Sequence, residues 1–197
     1  MAAKQSDTND TNDKFSQNTS ILVAGWSGED KLFSFETEPS YFPDDGQSIE
    51  VIRLTDETKF PQVVIKRFTG GAHCCVEQHI ITQDRDGNWA MIQGAMLDGI
   101  SGYSFDDLDG DGTLELASTD NSFHYLFAPY AGSFAPLYIE KLSFDKILDV
   151  NNDPATCPCS VRSWSTWKNS LKRMLRFGMK TGFLQAGQLF VRVWAKG

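Results

Sequence analysis

Short runs of apolar residues, several of them alternating with polar ones, recur along residues 21–92. Alternation with a period of two residues is typical of β-strands that bury one face. The runs are residues 21–26, 31–35, 48–54, 62–66, 77–82 and 89–92. Runs spaced about 8–12 residues apart favour an antiparallel all-β body. A closed propeller needs at least four blades of about 40–50 residues each. Residues 21–155 cannot supply them, so we expect an antiparallel β-sandwich or partial propeller-like sheets.

The hydrophobic period changes after Pro154 from a strand pattern to a helical one. The first predicted helix has an apolar face and a basic face. The apolar face holds Trp164, Trp167, Leu171, Met174 and Leu175, and the basic face holds Lys168, Lys172, Arg173 and Arg176. A second predicted helical stripe holds Phe183, Gly187, Phe190 and Trp194. The predicted fold class is therefore mainly β with a C-terminal helical segment, a β-rich α+β protein.

Three regions follow from these patterns. Residues 1–20 are polar and predict a disordered N-terminal tail. Residues 21–155 predict a β domain. Residues 156–197 predict amphipathic helices that pack on that domain, although a basic amphipathic helix also suits contact with a membrane surface.

Composition narrows the classes of function. The 197 residues carry a net charge of −8, which argues against nucleic acid as a partner. The chain has no run of about 18 apolar residues, so we expect no transmembrane span. The first residues lack the apolar segment of a signal peptide. The chain is then either cytoplasmic or the mature form of an exported protein with an added methionine.

Residues 107–115 read DLDGDGTLE and predict a calcium site. Ca²⁺ takes six to eight oxygen ligands, and acids at alternate positions of a tight loop direct their carboxylates inward. The predicted ligands are Asp107, Asp109, Asp111, the carbonyl of Thr113, and Glu115. The alternative is an acidic hairpin turn without metal. Four carboxylates within nine residues repel one another without a cation, which favours the metal site.

The acid that closes this loop distinguishes it from an EF-hand. An EF-hand has glycine at position 6 and glutamate at position 12. Gly112 fits position 6, but position 12 is Ser118 and the acid is Glu115 at position 9. The aromatic residues at 123, 125 and 127 alternate, which predicts a strand after the loop. We therefore expect a structural site between two strands rather than a helix–loop–helix sensor.

The loop resembles the calcium loops of FG-GAP and VCBS repeats, which belong to integrin-like β-propellers. Over residues 60–190 the chain resembles a family of uncharacterised exported bacterial proteins. The resemblance rests on TGGAHCC at residues 69–75, the acidic loop, residues 123–136 and GFL at residues 182–184. It implies an extracytoplasmic (periplasmic or secreted) calcium-bearing β domain without an established activity.

The four cysteines form two close pairs, Cys74 with Cys75 and Cys157 with Cys159. An even number of cysteines suggests disulfides in an oxidising compartment. Bridges between the pairs, a vicinal bond within a pair and free thiols all remain open. His73 adds two further hypotheses, a soft-metal site with the thiols and a Cys–His nucleophile.

These features predict a non-enzymatic accessory or interaction subunit that binds calcium. A protein partner would meet the aromatic residues at 125–136 or the C-terminal helices. The alternative is a hydrolase that uses His73, Cys74 and Cys75, or the bound metal.

Overall fold

The computed structural model describes residues 20–39, 47–69, 74–99, 101–156, 183–186 and 189–196. These residues form thirteen strands and no α-helix, and every strand pairing is antiparallel. The prediction of a mainly β antiparallel protein is confirmed. The strands are β1 Ser20–Ser27, β2 Asp30–Glu36, β3 Gln47–Ile52, β4 Gln62–Phe68, β5 Cys74–Gln83, β6 Trp89–Gln93, β7 Leu97–Asp98, β8 Ser104–Asp106, β9 Glu115–Thr119, β10 Leu137–Ser143, β11 Lys146–Asp149, β12 Phe183–Ala186 and β13 Leu189–Lys196.

The strands form three sheets. The first has the order β12-β13-β1-β2, and the second has the order β3-β4-β5-β6 with β7 beside β5. The third has the order β11-β10-β9-β8. Most neighbours are also consecutive in the chain, because tight turns join antiparallel strands directly. The turn at residues 84–88 is one of these: Asp84 N–H donates to the Asn88 carbonyl at 2.9 Å and Gly87 has a φ of +85°.

The second sheet lies between the other two and buries both of its faces. Successive residues of a strand point to opposite faces, and β4 follows this rule with Val63 and Ile65 on one face and Val64 on the other. The first face packs against the first sheet in a cluster of Ile21, Val23, Phe33, Phe60, Val63, Ile65, Ile81 and Val191. The second face packs against the third sheet in a cluster of Leu54, Val64, Ile80, Leu97, Tyr103, Leu116 and Leu142.

The strand predicted from the aromatic residues at 123, 125 and 127 is wrong. The chain leaves β9 at Thr119 and forms a 3₁₀ turn at Asn121–Phe123. The carboxylate of Asp120 accepts a hydrogen bond from Ser122 N–H at 3.0 Å, which caps this turn. Tyr125 then adopts a φ of +62°, which no strand accommodates. A local side-chain cap outweighs the alternation of aromatic residues here.

The second predicted C-terminal helix is also wrong. Phe183–Ala186 and Leu189–Lys196 are strands, and β13 pairs with β1 from Ser20↔Lys196 to Trp26↔Phe190. Pairing with β1, on the side opposite β2, decides the structure of a segment whose local pattern also fits a helix. The first predicted helix falls within residues 157–182, which lie outside the described residues, as does the tail before Ser20. Within the described part of the chain, no helix is long and apolar enough to span a membrane.

Candidate metal centre

The acidic loop connects β8 to β9, and the pair Asp106↔Glu115 closes it. The loop therefore lies between two strands, as expected from the sequence. Gly110 and Gly112 have φ values of +82° and +91°, which glycine adopts without steric cost. The two glycines allow residues 107–115 to reverse direction within one tight loop.

The loop's own carboxylates organise its backbone. Asp107 accepts hydrogen bonds from Gly110 N–H at 2.7 Å and Gly112 N–H at 3.2 Å. Asp109 accepts from Asp111 N–H at 3.0 Å. Each carboxylate oxygen has two lone pairs, so these bonds leave acceptor capacity for a cation.

Three predicted ligands converge. Asp107, Asp109 and Glu115 each place a carboxylate oxygen within 4.8 Å of the others. Glu115 is fully buried at 0% exposure, and its Oε2 accepts from Leu108 N–H at 2.7 Å. Its Oε1 is buried, accepts no hydrogen bond of good geometry, and lies 3.4 Å from Lys141 Nζ. A buried acceptor without a hydrogen bond is costly, and coordination of a cation would remove that cost.

Asp111 lies outside this group of three. Its carboxylate accepts from Lys141 Nζ at 2.5 Å and from Thr113 N–H at 2.8 Å. The hydrogen bond from Lys141, followed by those from Thr113, holds the pKa of Asp111 well below its usual range. Asp111 and the carbonyl of Thr113 therefore stay predicted ligands rather than members of the observed cluster.

Lys141 is the residue at this cluster that the sequence did not reveal. It lies on β10 directly opposite Glu115. Its Nζ is 3.6 Å from Asp109 Oδ2 and 3.4 Å from Glu115 Oε1. Burial lowers the pKa of Lys141, but the hydrogen bond to Asp111 and the charges of the carboxylates outweigh this and raise it. Only the register of β9 and β10 places Lys141 beside the loop, and the spacing of residues within the loop does not predict that register.

The donor set fits a hard divalent cation. All converging donors are carboxylate oxygens, which suit Ca²⁺, Mg²⁺ and Mn²⁺ rather than soft metals. Asp107, Asp109 and Glu115 would hold the ion, and Asp111 is close enough in sequence to join them. The ion would neutralise the charge that the three carboxylates concentrate.

Of the two cysteine pairs, the structure describes Cys74 with Cys75. Cys74 and Cys75 are joined by a disulfide at the start of β5. His73, Cys157 and Cys159 lie outside the described residues, so the soft-metal site and the bridges between the pairs stay untested predictions.

A second feature is an exposed apolar surface, called here the aromatic surface. It consists of Met96, Tyr125, Leu126, Phe127 and Phe134, and its two phenylalanines are 83% and 82% exposed. Polar contacts hold the segment behind it. Asp98 accepts a hydrogen bond from the Tyr130 hydroxyl and lies 3.8 Å from His124 Nδ1. Large exposed apolar patches on a defined scaffold mark interaction sites.

The chain is similar to two curated proteins. One is an uncharacterised protein of Sinorhizobium fredii, 43% identical over 138 residues, which cover 70% of this chain and 22% of the relative. The other is called a probable thylakoid lumen protein of Synechocystis, 35% identical over 111 residues, which cover 54% of this chain and 32% of the relative. The chain thus spans less than a third of the length of each. No protein-family model and no solved structure matches it.

Proposed function

We propose that this chain is an extracytoplasmic calcium-binding β domain that acts as a non-enzymatic accessory or interaction module of a larger assembly. The convergence of carboxylate oxygens of Asp107, Asp109 and the fully buried Glu115 within 4.8 Å of one another carries the proposal. The proposed extracytoplasmic location of this chain is supported by the description of the Synechocystis relative as a probable thylakoid lumen protein.

The position of the loop favours a structural role for the ion. Residues on both sides of Glu115 join the loop to the core. Leu114 N–H donates to the Leu54 carbonyl at 3.0 Å, and Leu116 is completely buried against the second sheet. An ion held by Glu115 would therefore fix the loop to the packed interface between two sheets.

The layered sheets support the FG-GAP or VCBS-like interpretation. Three consecutive antiparallel sheets, two of four strands and one of five, stack face to face, which is how neighbouring propeller blades pack. Calcium loops of that family also connect adjacent strands, as residues 107–115 do here. We infer a partial propeller-like arrangement with one calcium loop in its third sheet.

Calcium is expected to raise the melting temperature, and Asp109→Ala is expected to remove this effect. An ion present at a hundredfold excess over its Kd stabilises by about 2.7 kcal/mol, which corresponds to roughly 5–10 °C for a domain of this size. The measurement is a thermal melt in CaCl₂ and in EDTA. Identical melting curves of the unsubstituted protein under both conditions would disprove the calcium proposal.

The aromatic surface is the proposed contact with a protein partner. The double variant Phe127→Ser/Phe134→Ser is expected to keep its melting temperature, since both rings are exposed, and to lose the partner. The partner would be identified by cross-linking with mass spectrometry and binding then measured with the purified partner. Leu148→Ser, which removes another exposed apolar side chain, is the matched control. Equal affinity of both variants would exclude this surface.

A further inference from the structure

We propose that the Lys141 ammonium occupies the metal-free calcium loop as an internal cation, and that a divalent cation binds by exchange with it. The inference rests on the proposed function, because it concerns the same loop. It adds a residue on another strand that sets the affinity of the site.

The geometry places one cation among three acids. Lys141 Nζ hydrogen-bonds Asp111 at 2.5 Å and lies 3.6 Å from Asp109 and 3.4 Å from Glu115. Two of these acids, Asp109 and Glu115, belong to the converging cluster. The ammonium thus supplies positive charge where a metal ion bound by the same oxygens would supply it.

Electrostatic repulsion disfavours the presence of both cations in the site. A unit charge and a double charge about 4 Å apart repel by about 2 kcal/mol even with the dielectric constant of water, and by more in a partly buried loop. Lys141 therefore moves away when the carboxylates bind a divalent ion. Its side chain is 25% exposed, so its Nζ has a route to solvent.

The exchange also explains why Asp111 is missing from the cluster. Lys141 and Thr113 hold its carboxylate through hydrogen bonds. Departure of Lys141 removes the first of these bonds and frees an oxygen of Asp111. The same movement that vacates the site then provides a fourth carboxylate for the ion.

The internal cation weakens binding and protects the metal-free fold. The metal must compete with a tethered ammonium, so the affinity is lower than four carboxylates alone would give. Calcium sites of extracellular modules have Kd values of about 10⁻⁴–10⁻³ M. We infer that Lys141 places this site in that weak range, which suits a compartment rich in calcium.

The test compares Lys141→Met with Lys146→Met, which removes an exposed lysine from the neighbouring strand β11. Calcium affinity is measured by isothermal titration calorimetry and stability by thermal melts in EDTA. We expect Lys141→Met to bind calcium about tenfold more tightly and to melt at a lower temperature in EDTA. Lys146→Met is expected to match the unsubstituted protein in both measurements.

The outcomes separate this inference from the proposed function. Equal calcium affinities of Lys141→Met and the unsubstituted protein would overturn the exchange and leave the calcium site standing. Failure of every form to bind would overturn both. If Lys141→Met does not fold, the exchange is tested by NMR on the unsubstituted protein, whose lysines are labelled by ¹³C-dimethylation. The Lys141 signal is expected to shift on addition of CaCl₂, and an unmoved signal at saturating calcium would overturn the exchange.

Discussion

Glu115→Gln is expected to reduce calcium affinity about a hundredfold or more while changing the stability of the metal-free protein by less than about 1 kcal/mol. Replacing groups that only orient a ligand already costs ten- to a hundredfold in metal affinity, and Glu115 itself would be a ligand. Glutamine keeps the shape of the side chain and an acceptor for Leu108 N–H. Lys141 keeps Asp109 and Asp111 as partners, so the metal-free loop loses one of its three ion pairs, the one to Glu115, and retains the other two.

Calorimetric titration and denaturant unfolding in EDTA measure the two effects. Glu140→Gln is the matched control, because Glu140 lies on β10 in the same sheet opposite Leu116 but outside the loop. The control should bind calcium normally. Retention of full calcium affinity by Glu115→Gln would show that the buried carboxylate does not hold the ion.

Glu77→Gln is expected to destabilise the protein by about 3 kcal/mol. Glu77 Oε2 accepts from Arg67 Nε at 3.2 Å and also bonds the Arg67 Nη2. Arg67 is buried at 4% exposure between β3 and β5. Removal of one partner from a buried ion pair leaves an uncompensated charge, which typically costs about 3–5 kcal/mol. Arg67 keeps its bonds to Thr37 and Glu38, so we expect the lower value.

Glu77→Gln is also expected to make the unfolding free energy fall less steeply as the pH decreases. Burial alone would raise the pKa of Glu77, but the hydrogen bond and charge of Arg67 and the contact with His79 lower it below 4.5. A depressed pKa contributes stability that is present above 4.5 and is lost as the pH falls through the folded-state value. Urea unfolding from pH 7 to pH 3 measures this loss. The exposed control Glu29→Gln should keep the slope of the unfolding free energy against pH. If Glu77→Gln also keeps that slope, the Arg67–Glu77 pair does not stabilise the protein in this way.

Local patterns were sufficient to predict the first six strands, β1 to β6, and the acidic loop. The continuous apolar run at residues 63–65 predicts β4, because the two faces of this strand pack against different sheets and each face needs its own apolar residues. The loop was predictable because its acids and glycines are close in sequence. Asp107, Asp109 and Glu115 converge within nine residues, so no distant contact is needed to place them.

Pairings between strands that are distant in the sequence could not be predicted from local patterns. The segment that forms β13 fits a helical stripe as well as a strand, and only its register with β1 decides between them. Lys141 lies opposite Glu115 through a pairing between strands separated by the aromatic segment. Residues close in sequence do not show that β13 pairs with β1. They also do not show that Lys141 of β10 lies opposite Glu115.

The pairing of β1 with β13 has a consequence for synthesis of the protein. The earliest described strand leaves the ribosome long before its partner at Leu189–Lys196, so one edge of β1 stays open while the rest of the chain is made. An open strand edge is a template for pairing with other chains. Contacts between distant parts of a chain also form slowly. Truncation before β13 would make this temporary exposure permanent, and aggregation of the nascent chain is the expected cost.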